Sequence, residues 1–302
     1  MNKQELSELV AELLATMNRE PAVKASEYKP LTPGPEAPDT GCEDGDFVED
    51  VTALDLRKLY LVDSPEQPGD YCRLKARTPA RLGSGRAGPR YKTLTMLRFR
   101  ADHAAAQDAV FSQLPEDFGE KNGMISLQTR CGSKDEYLTR PDLGRCFDEE
   151  NQRKLRQAVS GQPRVQLVVG DGLSSAAILA NAADCLAAIR DGLKLKGIET
   201  GQPIFVRYCR VGAGDAVGDV TGCELVCVLV GERPGLVTDK SMSAYITYQP
   251  RTGVSESTRT VVSNIHSQGT PAVEAGAHVA ELIGKILEKK VSGVGLHLEG
   301  SR

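Results

Sequence analysis

The sequence predicts an α/β protein with a Rossmann-like C-terminal domain and a partly parallel sheet, preceded by a mainly helical region and a tethered N-terminal amphipathic helix. Three observations carry that prediction. Val165–Gly170 is a nearly continuous apolar run, as a strand buried on both faces requires. Ser174 to about Leu195 is an alanine-rich helical stretch with Ile178, Leu179, Leu186 and Ile189 on its apolar side. Pro203–Tyr208 and Glu224–Val230 are further short β-rich runs ending in glycine or charge. Strand, helix, strand, strand in this order places at least part of the sheet in parallel.

The remaining elements follow along the chain. Leu6, Leu9, Val10, Leu13, Leu14 and Met17 form one apolar stripe, so residues 1–18 read as an amphipathic helix. Residues 19–45 carry Pro21, Pro30, Pro33, Pro35 and Pro38, the composition of a linker that closes no core. A short helix on such a tether is marginal in water unless something receives its stripe. It either docks on a partner or folds back on its own domain. Residues 46–160 read as helical and irregular, with helices over Thr52–Leu61, Leu94–Leu114 and Glu149–Val159. Residues 161–302 form the α/β domain, closed by a helix that starts at Thr270-Pro271 and presents Val273, Val279, Ile283 and Ile286.

Composition excludes several functions. The chain has 302 residues, 37 basic and 41 acidic side chains and a net charge of −4, unlike the basic balance of a nucleic-acid binder. It contains no Trp and 5% aromatics, which weakens any base-stacking surface. No apolar run is long enough to span a bilayer, and the N-terminus lacks the features of a secretory signal, so the chain is expected in the cytoplasm. The eight cysteines are then thiols, and neither they nor the four histidines stand at metal spacing, so no metal ligands are assigned.

Ligands of α/β sheets sit outside the carboxyl ends of the strands. Three strand exits are therefore candidates: 170–174, 207–212 and 231–235. The first contains G-x-G-x-x-S across Gly170, Gly172 and Ser175, near the dinucleotide fingerprint. A nicotinamide enzyme also needs an acidic residue at the end of the next strand. Asp191 and Glu199 fall before that strand, which exits through Arg207 and Arg210. The basic glycine loop Gly83–Arg90 is either an anion cradle or a turn whose arginines pair with carboxylates. It lacks the Gly-Lys-Ser/Thr of a nucleotide-hydrolysing loop. His266 in the loop 263–269 is either an acid/base group or a hydrogen-bonding strut. No triad, paired-acid spacing or nucleophile elbow occurs, so no catalytic residue is assigned.

The strings GRAGPR (85–90), YLTRPDLGR (137–145), DGLS (171–174), FVRYCRV (205–211), LVGERPGL (229–236) and SNIHSQGTPAVEAGAHVA (263–280) together resemble the small subunit of ethanolamine ammonia-lyase. The resemblance runs from about residue 80 to 300. It implies a subunit of an adenosylcobalamin-dependent lyase that converts ethanolamine to acetaldehyde and ammonia by a radical route. The large subunit would hold the substrate, and the small subunit would cover the cobalamin from the other side. The family's cobalamin contacts fall here on Arg210, Val211, Glu232 and Val261. Val261 replaces a cysteine of the family pattern, which leaves a backbone contact there. Residues 1–18 resemble the peptide that directs the enzyme into a bacterial microcompartment lumen. Asp-x-His-x-x-Gly, with which some cobalamin proteins replace the lower base, is absent, so a base-on cofactor is expected. A nicotinamide-dependent oxidoreductase and a non-catalytic scaffold or adaptor are the alternatives. They predict NADH binding and no cofactor-dependent activity, respectively.

Overall fold

The computed structural model describes residues 50–299, apart from Leu56 and Ser160. The amphipathic segment 1–18 and the whole linker, 19–45, therefore lie outside the described residues. The chain divides into two compact units, residues 1–101 and 102–302.

In the first unit, α1 (Pro68–Lys75) precedes a two-stranded hairpin, β1 (Arg86–Ala87) with β2 (Arg90–Tyr91). The glycine loop is this hairpin and its approach. A Cβ at Gly85 would lie 2.3 Å from the Leu61 carbonyl oxygen, so glycine is required for that contact. The helix expected over Thr52–Leu61 is reduced to one 3-10 turn, Val51–Ala53. The Arg98 guanidinium takes the Val51, Thr52 and Leu54 carbonyls that a helix would pair with N–H groups. The next helix, α2 (Thr93–Phe111), runs across the division between the units.

The second unit is built on a mixed sheet of six strands in the order β3-β5-β4-β6-β7-β8. Its strands are β3 (Ile125–Gln128), β4 (Val165–Asp171), β5 (Ile204–Arg207), β6 (Leu225–Gly231), β7 (Met242–Tyr248) and β8 (Arg259–Ile265). The first four run parallel, and β7 and β8 add antiparallel. This is the α/β, partly parallel sheet that the order of elements predicts. Two features differ from the sequence reading. The sheet takes in β3 from the stretch whose sequence reads as helical and irregular, and it extends through β7 and β8, beyond the strands the sequence predicts.

Helix α3 (Phe118–Lys121) leads into β3, and α4 (Lys134–Thr139) and α5 (Glu149–Ala158) follow it. Between β4 and β5 lies α6 (Ser175–Leu195), and between β5 and β6 lies α7 (Ala213–Thr221). The chain ends in α8 (Ala272–Lys289) and α9 (Val294–Glu299). Right-handed crossovers that run in opposite directions along the sheet put α6 and α7 on opposite faces. On one face α6 and α8 bury Leu167, Val169, Leu229 and Ile246 with Ile178, Ile189, Val279 and Ile283. On the other, α5 and α7 bury Val168, Val206, Val226 and Val228 with Leu155 and Val217. Leu179 and Val273 are 60% and 58% exposed, so the two stripes are narrower than expected. The N-cap of α8 is Pro271, one residue later than the predicted Thr270 cap. Thr270 is drawn off instead, because its carbonyl accepts the His266 N–H.

Candidate functional site

The chain leaves adjacent strands β4 and β5 toward opposite faces, which in an open α/β sheet creates a crevice at their carboxyl ends. Here the protein's own groups fill it. Asp171 is buried, and its carboxylate accepts the Ser175 hydroxyl at 2.6 Å and the Leu114 N–H at 3.3 Å. Tyr137 donates its hydroxyl to the Cys209 carbonyl at 3.1 Å. Lys134, also buried, donates to the Gly172 carbonyl at 3.0 Å, and loss of water lowers its pKa.

The glycines of the fingerprint-like string serve packing. A Cβ at Gly170 would lie 2.6 Å from the Cys209 sulfur, and one at Gly172 would lie 2.5 Å from Val230. Ser174 caps α6 by accepting the Ala177 N–H and donates to the Asp239 carbonyl at 2.6 Å, which occupies the helix end a dinucleotide phosphate would need. Asp191 and Glu199 are exposed. Glu199 lies beside Thr200, which bridges to Val165 at the amino end of β4, the end away from the crevice. A nicotinamide site is not built here.

The predicted contact residues gather on the α7 side of the sheet. After β5, Tyr208 adopts a left-handed φ of 56° and the chain turns toward α7. Arg210 follows, its N–H bound to the Gly144 carbonyl at 2.9 Å. Its guanidinium lies 4.3 Å from the Tyr137 ring centroid and donates from Nη2 to the Tyr137 carbonyl at 2.9 Å. The Arg210 Nε is buried without a hydrogen-bond partner among the described residues. A buried unpaired donor costs about 1–3 kcal/mol. Val211 is half-buried against the cluster containing Val228, Val230 and Tyr245.

Glu232 stands one residue beyond β6, half-buried, with its N–H on the Ser241 carbonyl at 2.9 Å. Its Oε1 accepts the Tyr245 hydroxyl at 2.6 Å. Among the described residues it forms no ion pair, so a role as a salt-bridging turn residue is not what the structure shows. Tyr245 faces Val228 on one side and Val261 on the other in the strand register. Val261 is 46% exposed, whereas its sequence alone suggests a core position. The helices of this face cover β4, β5 and β6 and leave Val261 and Ser263 of β8 exposed. The result is a shelf on which the Glu232 acceptor and the exposed Val261 are joined through Tyr245.

Ser243, on the same side, is fully buried with its hydroxyl unpaired. Beneath the shelf Arg259 grips Asp215 of α7 through two hydrogen bonds of 2.8 and 2.7 Å and also reaches Thr247 at 3.1 Å. His266 is a strut. The Gln268 N–H donates to its Nδ1, so its Nε2–H donates to Asn264 Oδ1 at 2.7 Å. Nothing on the shelf pairs a nucleophile with a base.

Sequence reasoning missed Tyr245 and Tyr137. Tyr245 has a signal, as the polar-tipped member of the alternation in 242–248 next to two glycine-bounded strands. Tyr137 lies 73 residues from the arginine it carries, and no local pattern links them.

Residues 69–297 match the family described as ethanolamine ammonia-lyase light chain. An ethanolamine ammonia-lyase small subunit of Clostridium perfringens is 58% identical over 254 residues, which cover 84% of this chain and 86% of that protein. One of Clostridioides difficile is 52% identical over 98% of this chain and the whole of the relative. A third, of Listeria monocytogenes, is 50% identical over the same shares.

Proposed function

Because the chain belongs to the ethanolamine ammonia-lyase small-subunit family, a lyase family, we propose that it holds adenosylcobalamin against a large catalytic subunit that binds ethanolamine. The observation that carries this reading is the shelf on the α7 side. There the Glu232 carboxylate, fixed on the Tyr245 hydroxyl, stands beside the exposed Val261, with Arg210 in the loop between β5 and α7.

The residues suit the group. A corrin rim carries amide side chains, which need both donors and acceptors. Arg210 would donate to an amide oxygen, Glu232 would accept an amide N–H, Val211 would lie against apolar ring surface, and Val261 would contribute a backbone contact. When bound, adenosylcobalamin supplies one-electron chemistry through its cobalt–carbon bond. This chain's part is to bind and orient; the substrate reaction is assigned to the large subunit. The cofactor would then be covered by two polypeptides, which excludes water better than an open shelf does.

Two tests separate the parts of this reading. Purified large and small subunits, mixed with adenosylcobalamin and ethanolamine, should form acetaldehyde only when all are present; activity without this chain would refute the subunit role. Substituting Glu232→Ala should weaken cobalamin binding by about tenfold, the loss of one charge-assisted hydrogen bond, with assembly intact. An unchanged affinity would remove Glu232 from the site. We further propose that residues 1–18 address the enzyme to a bacterial microcompartment lumen, supported by their apolar stripe and the tether behind it. Among the described residues, no helix is long and apolar enough to cross a membrane.

A further inference from the structure

We infer that Tyr245 is a positioning residue for Glu232, fixing one carboxylate oxygen so that the other faces the cofactor's amides; the inference rests on the cobalamin-holding reading above. Glu232 lies just past the end of β6, where the side chain of a loop residue would rotate freely. Two tethers prevent that. Its N–H is held by the Ser241 carbonyl, and its Oε1 by the Tyr245 hydroxyl at 2.6 Å.

Tyr245 is itself fixed from both sides. It pairs with Val228 in one ladder and with Val261 in the other, at the centre of three hydrogen-bonded strands. Its oxygen is therefore held by the sheet, and through it the carboxylate is registered to the same three strands that carry the shelf. One acceptor oxygen is spent on the phenol, and Oε2 is left for an incoming N–H. Burial and the adjoining carboxylate both push the phenol's pKa up, so it remains the donor throughout the neutral range. Preorganising an acceptor in this way removes part of the ordering cost of binding.

A double-mutant cycle tests the inference on the full-length chain assembled with its large subunit. Cyanocobalamin binding is measured by equilibrium dialysis, and thermal unfolding is followed without ligand. Tyr245→Phe keeps the ring and should weaken cyanocobalamin binding about fivefold, as expected for one hydrogen bond, with the unfolding midpoint of the complex little changed. Glu232→Ala with Tyr245→Phe should bind no more weakly than Glu232→Ala alone, because a residue that acts through Glu232 has nothing left to act on. Wild-type binding by Tyr245→Phe, or losses that add in the double variant, would overturn the positioning role while leaving the cobalamin reading intact. Wild-type binding by Glu232→Ala would remove Glu232 from the site and the inference with it.

Discussion

Arg259 and Asp215 are 7% and 5% exposed, and their two hydrogen bonds join the start of β8 to α7 beneath the shelf. Removing one partner leaves the other charge buried and unpaired. Arg259→Met is therefore expected to cost about 3–5 kcal/mol, read as a fall in the urea midpoint, while Arg259→Met with Asp215→Leu should recover much of that loss. Equal midpoints for the single and double variants would mean that the pair carries no such burden. Gly231 poses a sharper steric limit, because a Cβ there would stand 2.0 Å from the Ser174 carbonyl oxygen. Gly231→Ala should destabilise by about 1–3 kcal/mol. Gly235→Ala, with nothing within 4 Å, serves as the control and should be near neutral. Thiol chemistry divides in the same residue-by-residue way. Burial pushes Cys185 and Cys209 each up to about 12, so at pH 8 both stay protonated and shielded. Among the described cysteines, iodoacetamide should label the half-buried Cys72 and Cys146 first in the native protein, as peptide mapping would show. Rapid labelling of Cys209 would contradict the burial described for the β5 exit.

Elements differ in how plainly their sequences announce them, and burial geometry explains the differences. Strand β4 is buried along its whole length, so it reads as an unbroken apolar run. β6 is the same. Strand β3, Ile125–Gln128, has only four residues and a polar residue at every second place, too little pattern to separate it from a turn. Strand β8 alternates at first, then breaks: Ala244 pairs with Val262 and Met242 with Ile265, so one extra residue enters β8 between them. Asn264 carries a left-handed φ of 64° there, the mark of a bulge. A period-two search fails at such a strand. For the site, the exits 207–212 and 231–235 were legible as strand ends, and the family strings supplied Arg210, Val211, Glu232 and Val261. That Val261 faces outward was not legible, because outward and inward are set by pairing with β7. Deleting residues 1–18 should leave turnover largely unchanged and alter particle packaging or solubility, and lost turnover would place the segment in the enzyme's core instead.

For the whole molecule, the parallel part of the sheet and its antiparallel extension divide the work. The crevice between β4 and β5 is filled from within by Tyr137, Lys134 and Leu114. The extension by β7 and β8 supplies the open surface, and a sheet closed at β6 would have no shelf. On the proposed reading, such a half-site would gain its second wall from the large subunit. His266 has both ring nitrogens engaged, and no Asp-x-His-x-x-Gly occurs. The Co(II) paramagnetic resonance spectrum of the assembled enzyme should therefore show no added splitting when the protein's histidines carry nitrogen-15. Extra splitting would show a histidine in the lower-base position.

The inserted residue in β8 also governs what lengths this stretch of chain tolerates. Ahead of it Val261 points to solvent; beyond it Ile265 returns to the interior beside Met242. Excise one residue between them and the two phases of the strand merge. Either Ile265 is turned out into water, or Val261 is swung under α8 and the far end of the shelf goes with it. The loop between Glu232 and Ser241 carries no such parity, but its returning end is pinned to α6, where Ser174 and Asn181 donate to the Asp239 and Lys240 carbonyls, so a change of length is tolerated only ahead of Asp239.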